Sequence, residues 1–318
     1  MFQFIVWLRA IAAVFITNSH YADIWPASWM AFGGQIGNCI FFFVSGFCLF
    51  NIKDNFLKWY GKRIIRIYPA LWITSTVSFI WGNFRVGNFT ALIHCYLYPT
   101  WYHFIGSIMA LYIVFYIIRL IQKKWNVHMM WFMGITLGIF LIIYCLKFST
   151  STFHIESIEE KWVRFQFMEC MLIGALLREK YETISEKISV WSILNVCVSF
   201  STYVVAKKVI PSREYFYCIQ IILPFILLWL IVAVGLLFVK LEKKHLFEKV
   251  HKYISNVVSF IAGIALEIYL CQYVVIARNI FLFPLSFIIV TGGIIIYAWI
   301  VHKIADFVQK KASAFLYR

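Results

Sequence analysis

Two ionisable side chains interrupt the first apolar stretch of the chain, which runs from Phe4 to about Tyr21: Arg9 and His20. They are eleven residues apart. At ~100° per residue eleven steps close about three turns, so a helix carries both on one stripe, roughly 16 Å apart along its axis. A neutral imidazole is suited to take a proton near neutral pH. A guanidinium inside an apolar run is costly and calls for a ligand or a buried carboxylate. Glu169 and Glu267 both lie in apolar stretches and are the candidate carboxylates. Glu267 is the better placed of the two to line a polar cavity, since it sits one turn before Cys271-Gln272. Asp23, three residues after His20, either orients the imidazole or simply sits in the following loop. His94 and His103 fall near the mouth of two later apolar runs, where either could touch a substrate.

A second cluster is cationic. Lys58, Lys62 and Arg66 recur every four residues and Arg63 precedes Arg66 by three, so a short helix gathers them on one face. Two guanidinium forks suit phosphate oxygens, each of which they can bind bidentately. The same residues would equally form a basic loop resting on lipid headgroups. Tyr68-Pro69 follows, and Pro at the first turn of the next apolar run would separate that run from the basic segment. Ser45 stands before Gly46 in Phe43-Val44-Ser45-Gly46-Phe47. No G-x-S-x-G elbow surrounds it, so Ser45 and Gly46 read as small residues at a helix–helix contact.

The elements that must hold these groups are set by composition. Of 318 residues 63% are hydrophobic, 20% aromatic and 14% charged, which is too little polar surface for a soluble domain of this length. Apolar runs recur throughout, predicting an all-α polytopic helical bundle. Spans are expected near 4–21, 34–52, 67–82, 99–119, 129–146, 164–178, 188–206, 216–239, 257–276 and 281–302, about ten in all. The first run contains Arg9, lacks a basic leader and a small-residue cleavage site, and is read as a retained span.

The net charge of +15 is a matter of topology, not of nucleic-acid binding. Twenty Lys and Arg fall on the loops and tail that share a side with the N-terminus, against eight on the other side. That bias predicts both termini in the cytoplasm and some attraction to anionic lipid. The eight cysteines are scattered with no C-x-x-C pair, so neither a disulfide framework nor a metal site is expected. Trp25, Trp29, Trp101, Tyr102, Trp125, Trp131 and Trp162 lie near span ends, as an interfacial belt requires. Gly134 and Gly138 form a G-x-x-x-G that predicts close helix packing. One membrane domain fills residues 1–318, with no internal repeat and no appended soluble domain expected.

Taken together these stretches resemble the membrane-bound acyltransferase-3 family. Arg9 and His20 match its R-x10-H signature, Phe43-Val44-Ser45-Gly46-Phe47 its F-x-S-G-F, and Arg63-Ile64-Ile65-Arg66 its R-x-x-R. Trp101-Tyr102 followed by Leu111-Tyr112 is similar to a later family segment, as is Leu266-Glu267-Ile268-Tyr269-Leu270.

The resemblance implies transfer of an acyl group, usually acetyl, from cytoplasmic acyl-coenzyme A to a hydroxyl of an extracytoplasmic or lipid-linked polysaccharide at a bacterial cytoplasmic membrane. It implies catalytic roles for His20 and Arg9 and contact of Arg63 and Arg66, with Lys62 beside them, to the donor phosphates. Ser45, Glu267, Tyr269, Trp101 and Asp23 are the candidates to line the acceptor site or polar cavity. No tightly bound cofactor is implied; acetyl-coenzyme A is a substrate. Gln272 departs from the family, which often carries His there. On this reading His20 is a general base, or is itself acylated in a ping-pong cycle. The competing class is a transporter or flippase of lipid-linked sugars, which would favour related halves and matching broken spans. Pro224 and Pro284 are not so placed.

Overall fold

The computed structural model describes residues 2–82, 87–99, 102–157, 161–276, 279–280 and 282–316. Among them the regular structure is helical throughout: α1 (Gln3–Ser19), α2 (Gly34–Leu49), α3 (Phe56–Ile80), α4 (Phe89–Tyr96), α5 (His103–Trp125), α6 (Met129–Lys147), α7 (Trp162–Glu179), α8 (Val190–Val209), α9 (Ile222–Lys243), α10 (Lys252–Gly263), α11 (Ala265–Ile276) and α12 (Leu285–Leu316), with short 3-10 turns between some of them. The chain forms two compact units, Met1–Leu8, Asn38–Ile52 and Val114–Ser255 in one, and Arg9–Gly37, Lys53–Ile113 and Asn256–Arg318 in the other.

The first unit is built on α7. Thirteen of its residues, from Trp162 to Leu177, are buried, and α6 and α9 pack against it. α2 meets α7 backbone to backbone: a Cβ on Gly46 would overlap the carbonyl of Met171, and one on Gly174 would overlap the carbonyl of Phe43. Only glycine permits that approach, and the Phe42 and Phe167 rings stack at 4.3 Å beside it. The small-residue reading of Ser45-Gly46 is thus met. The G-x-x-x-G reading is corrected: nothing lies within 4 Å of a Cβ at Gly134 or Gly138, so those glycines pack no helix closely.

Two polar fastenings hold this unit's ends. Glu242 of α9 accepts the backbone N–H groups of Gln3 at 2.9 Å and Phe4 at 2.8 Å, placing a carboxylate on the open amides at the start of α1. Gln220, wholly buried, accepts from the N–H groups of His154 and Ile155 and donates to the carbonyls of Ser149 and Thr152.

The second unit is organised by α3, α11 and α12, which pack on one another. α3 corrects the expected break at Pro69, because one helix runs from Phe56 to Ile80 with Pro69 inside it. Pro forfeits one backbone bond, but Pro69, Ala70 and Leu71 are buried at that point, and packing holds the helix through it. Asn55 caps its start, its side chain accepting from Lys58 N–H at 3.0 Å. A second correction concerns 257–276, expected as one span. It is two helices bent by 71°, and the bend falls after Gly263, where α10 ends and α11 begins at Ala265.

Among the described residues six helices are long and apolar enough to cross a membrane, or seven if the bent pair counts as one. The expected ten is higher because α1 is only 17 residues long, α3 joins the basic segment to an apolar one, and α7 carries Arg164, Glu169, Arg178 and Glu179. The protein is an all-α, multi-pass membrane protein.

Candidate active site

Arg9 lies half-buried midway along α1, and His20 follows directly on its last residue. The His20 N–H bonds the carbonyl of Thr17 at 3.1 Å, which turns the chain out of the helix. The next loop, 20–33, is pinned by Asn18: its amide donates to the carbonyls of Met30 at 2.9 Å and Phe32 at 3.0 Å, and its oxygen accepts from the Trp25 indole at 2.9 Å. Gly33 closes the loop at φ +103°, a backbone state that a side chain would strain.

α11 and α12 complete this end of the second unit. Tyr21 hydroxyl meets Thr291 Oγ1 at 3.0 Å, and Ser286 Oγ donates to the carbonyl of Ile24 at 3.2 Å. The Tyr273 hydroxyl lies 3.2 Å from His20 Nε2, with the two rings edge to face at 4.8 Å. Tyr273 also meets Tyr102 at 5.7 Å and Tyr269 at 6.0 Å, so His20 borders a cluster of buried tyrosines. Tyr273 engages Nε2, and Nδ1 is the other ring nitrogen of His20.

Of the candidates read from sequence, Arg9, His20, Asp23, Lys62, Arg63, Arg66, Glu267 and Tyr269 all fall in this unit. Asp23 is exposed, and the partner given to the imidazole is Tyr273. Tyr269 is 3% exposed and packs on Phe104 at 5.2 Å. Glu267 is 4% exposed, and its Oε1 lies 2.8 Å from Nδ1 of His302 on α12. His94 and His103 are half-buried in α4 and at the start of α5. Trp101 lies outside the described residues. Ser45 belongs to the other unit, as does Glu169, which bonds Thr136 Oγ1.

The basic segment is the first half of α3. Arg63 folds over the Trp59 ring at 4.3 Å and donates to the Trp59 carbonyl at 2.8 Å. Lys62 pairs with Asp54 at 2.5 Å, and Lys58 approaches the same carboxylate at 3.8 Å. The Lys62 ammonium holds the Asp54 carboxyl below the usual carboxylate range. Lys62 and Arg66 are exposed, and the carbonyl of Arg66 accepts from Gln309 of α12 at 3.1 Å. Lys58, Lys62, Arg63 and Arg66 thus gather at one end of α3.

Sequence reasoning missed Tyr273, His302, Asn18 and Gln309. Only His302 left a signal, an imidazole at the edge of an apolar run.

An all-α membrane bundle with a histidine and arginines on separate elements of one unit fits an integral membrane group-transfer enzyme. The profile of the acyltransferase-3 family, described as an acyltransferase domain, matches residues 2–303. The chain belongs to that family of membrane acyltransferases. No curated protein matches the chain, and no solved structure does.

Proposed function

We propose that the protein moves an acyl group, acetyl in the simplest case, from acyl-coenzyme A in the cytoplasm to a hydroxyl of an extracytoplasmic or lipid-linked polysaccharide. The setting is a bacterial cytoplasmic membrane, with both termini inside. The observation that carries the reading is the pairing of His20 with Tyr273 at one end of a unit whose α3 bears Arg63 and Arg66.

Arg63, Arg66 and Lys62 bind the donor's phosphates, for which their charge and the guanidinium forks are suited. His20 takes the acceptor's hydroxyl proton on Nδ1 as the oxygen attacks the thioester carbonyl. The acyl carbon–oxygen bond forms, the carbon–sulfur bond breaks, and the electron pair leaves on sulfur. Arg9, deeper in α1, stabilises polar atoms of the donor. The tyrosines around Tyr273 suit a sugar, which presents both an apolar ring face and hydroxyls.

Proteoliposomes loaded with labelled acetyl-coenzyme A and supplied with envelope glycan outside test this reading. Label on the glycan supports it. Movement of a lipid-linked sugar without labelling supports a flippase instead.

A further inference from the structure

Buried Glu267 and half-buried His302 form an acid–imidazole pair that the scheme above does not use. Glu267 keeps only 5% of its side chain exposed, and His302 keeps 35%. A carboxylate oxygen only accepts, so Nδ1 of His302 carries the hydrogen of this 2.8 Å bond and Nε2 is left to exchange a proton.

α12 shows where the pair stands. Along this one helix Gln309 touches the carbonyl of Arg66, His302 touches Glu267, and Thr291 touches Tyr21 beside His20. The steps are seven and eleven residues, both within about 20° of whole turns, so the three contacts share a stripe. By helical rise His302 is about 10 Å from the level of Arg66, and Thr291 is about 16 Å further on. The pantetheine arm of coenzyme A has roughly the bond count of about four peptide residues and reaches about 14 Å when extended. α3 side chains lean toward its start, so phosphates held by Arg63 and Arg66 lie level with Arg66 or behind it. A thioester on such an arm therefore reaches the level of His302 and falls short of that of Thr291.

α11 supplies the second measure. Glu267 and Tyr273, the partners of His302 and His20, are six residues apart on it, about 9 Å of rise and about 120° around the helix, so they engage neighbours on different faces. That rise is the axial room available to a hydroxyl on one imidazole, a sulfur on the other and the reacting carbon between them.

Resting on the acyl-coenzyme A reading, we propose that His302, held by Glu267, donates a proton from Nε2 to the thiolate of coenzyme A as it leaves. The acceptor's proton goes to His20, the oxygen–carbon bond forms, the carbon–sulfur bond breaks, and sulfur takes the proton of His302. His20 releases the proton it took, and His302 is reprotonated before the next turnover, so the cycle closes.

The test compares acetyl-coenzyme A with its selenium analogue, acetyl-selenocoenzyme A, whose selenol is acidic enough to leave without a proton. His302→Gln is expected to slow transfer from the thioester on the order of a hundredfold, the usual scale for general acid catalysis. Its effect with the selenoester is expected to stay within about threefold, an allowance for altered packing at a half-buried position. Glu267→Gln, which keeps the side-chain volume, is expected to show the same donor-dependent split and serves if His302→Gln does not fold. Equal losses with both donors, or no loss with either, overturn the assignment. A wild type that transfers from neither donor overturns the acyl-coenzyme A reading itself, a separate result.

Discussion

The Nε2 of His20 and the hydroxyl of Tyr273 lie 3.2 Å apart although 253 residues separate them in the chain. A hydroxyl that accepts from Nε2–H would hold the tautomer in which Nδ1 is bare, the one that the proposed base at Nδ1 requires. Tyr273→Phe keeps the ring packing and removes only this contact. The expected result is a kcat lower by about five- to tenfold, the scale of one neutral hydrogen bond, with the donor KM unchanged. Steady-state transfer assays in proteoliposomes measure both terms.

The cationic face of α3 predicts a charge effect on the donor. Asp54 draws Lys62 into an ion pair and keeps its own carboxyl below the usual carboxylate range. Because that value is lowered, the pair is complete above the ordinary carboxylate range and is lost only as pH falls through the lowered one. Asp54→Asn removes this ion pair at neutral pH, so the donor KM is expected to fall. The gain is expected to shrink as salt is raised toward ~1 M, where screening acts over about 3 Å. A salt series of KM values for wild type and variant checks it.

Asn18 ties the loop that begins at His20 through three hydrogen bonds. Asn18→Ala is expected to cost about 2 kcal/mol of stability, since it strands partly buried partners. It is also expected to lower kcat more than it changes the donor KM, because the loop carries the proposed base and not the arginines. Thermal unfolding in detergent and the transfer assay report the two effects.

The glycines make opposite predictions. Gly46→Ala and Gly174→Ala press a methyl into backbone carbonyls across the α2–α7 contact. Each is expected to destabilise by about 1–3 kcal/mol or more, since the facing atoms are main chain and cannot rotate away. Gly134→Ala and Gly138→Ala meet open space and are expected to be neutral or to stabilise by up to ~1 kcal/mol through helix propensity. Melting curves of the four variants decide it.

These contrasts bear on what the sequence could disclose. Apolar runs and the basic loops were legible because they reflect burial and charge that each segment carries by itself. The Ser45-Gly46 contact was legible from residue size, whereas Gly134 and Gly138 have the same local signature and pack nothing closely. What separates the two pairs is the facing helix, and no single segment encodes that. The continuity of α3 through Pro69 was hidden for the same reason: local propensity argues for a break, and packing overrides it. Arg9, His20, Arg63 and Arg66 stood out as charges in unusual places. Tyr273 did not, because a tyrosine in an apolar run is unremarked until the fold brings it to His20. The pair of Glu267 with His302 likewise depends on the register of α11 against α12.

The central claim is that His20 and Arg63 serve one transfer from acyl-coenzyme A to a hydroxyl. Its most direct measurement is incorporation of label from acetyl-coenzyme A into envelope glycan by membranes containing wild type, His20→Ala or Arg63→Ala at matched protein levels. The account predicts labelling by wild type, a loss of at least about a hundredfold for His20→Ala, and a raised donor KM with measurable residual kcat for Arg63→Ala. Undiminished labelling by His20→Ala would contradict it.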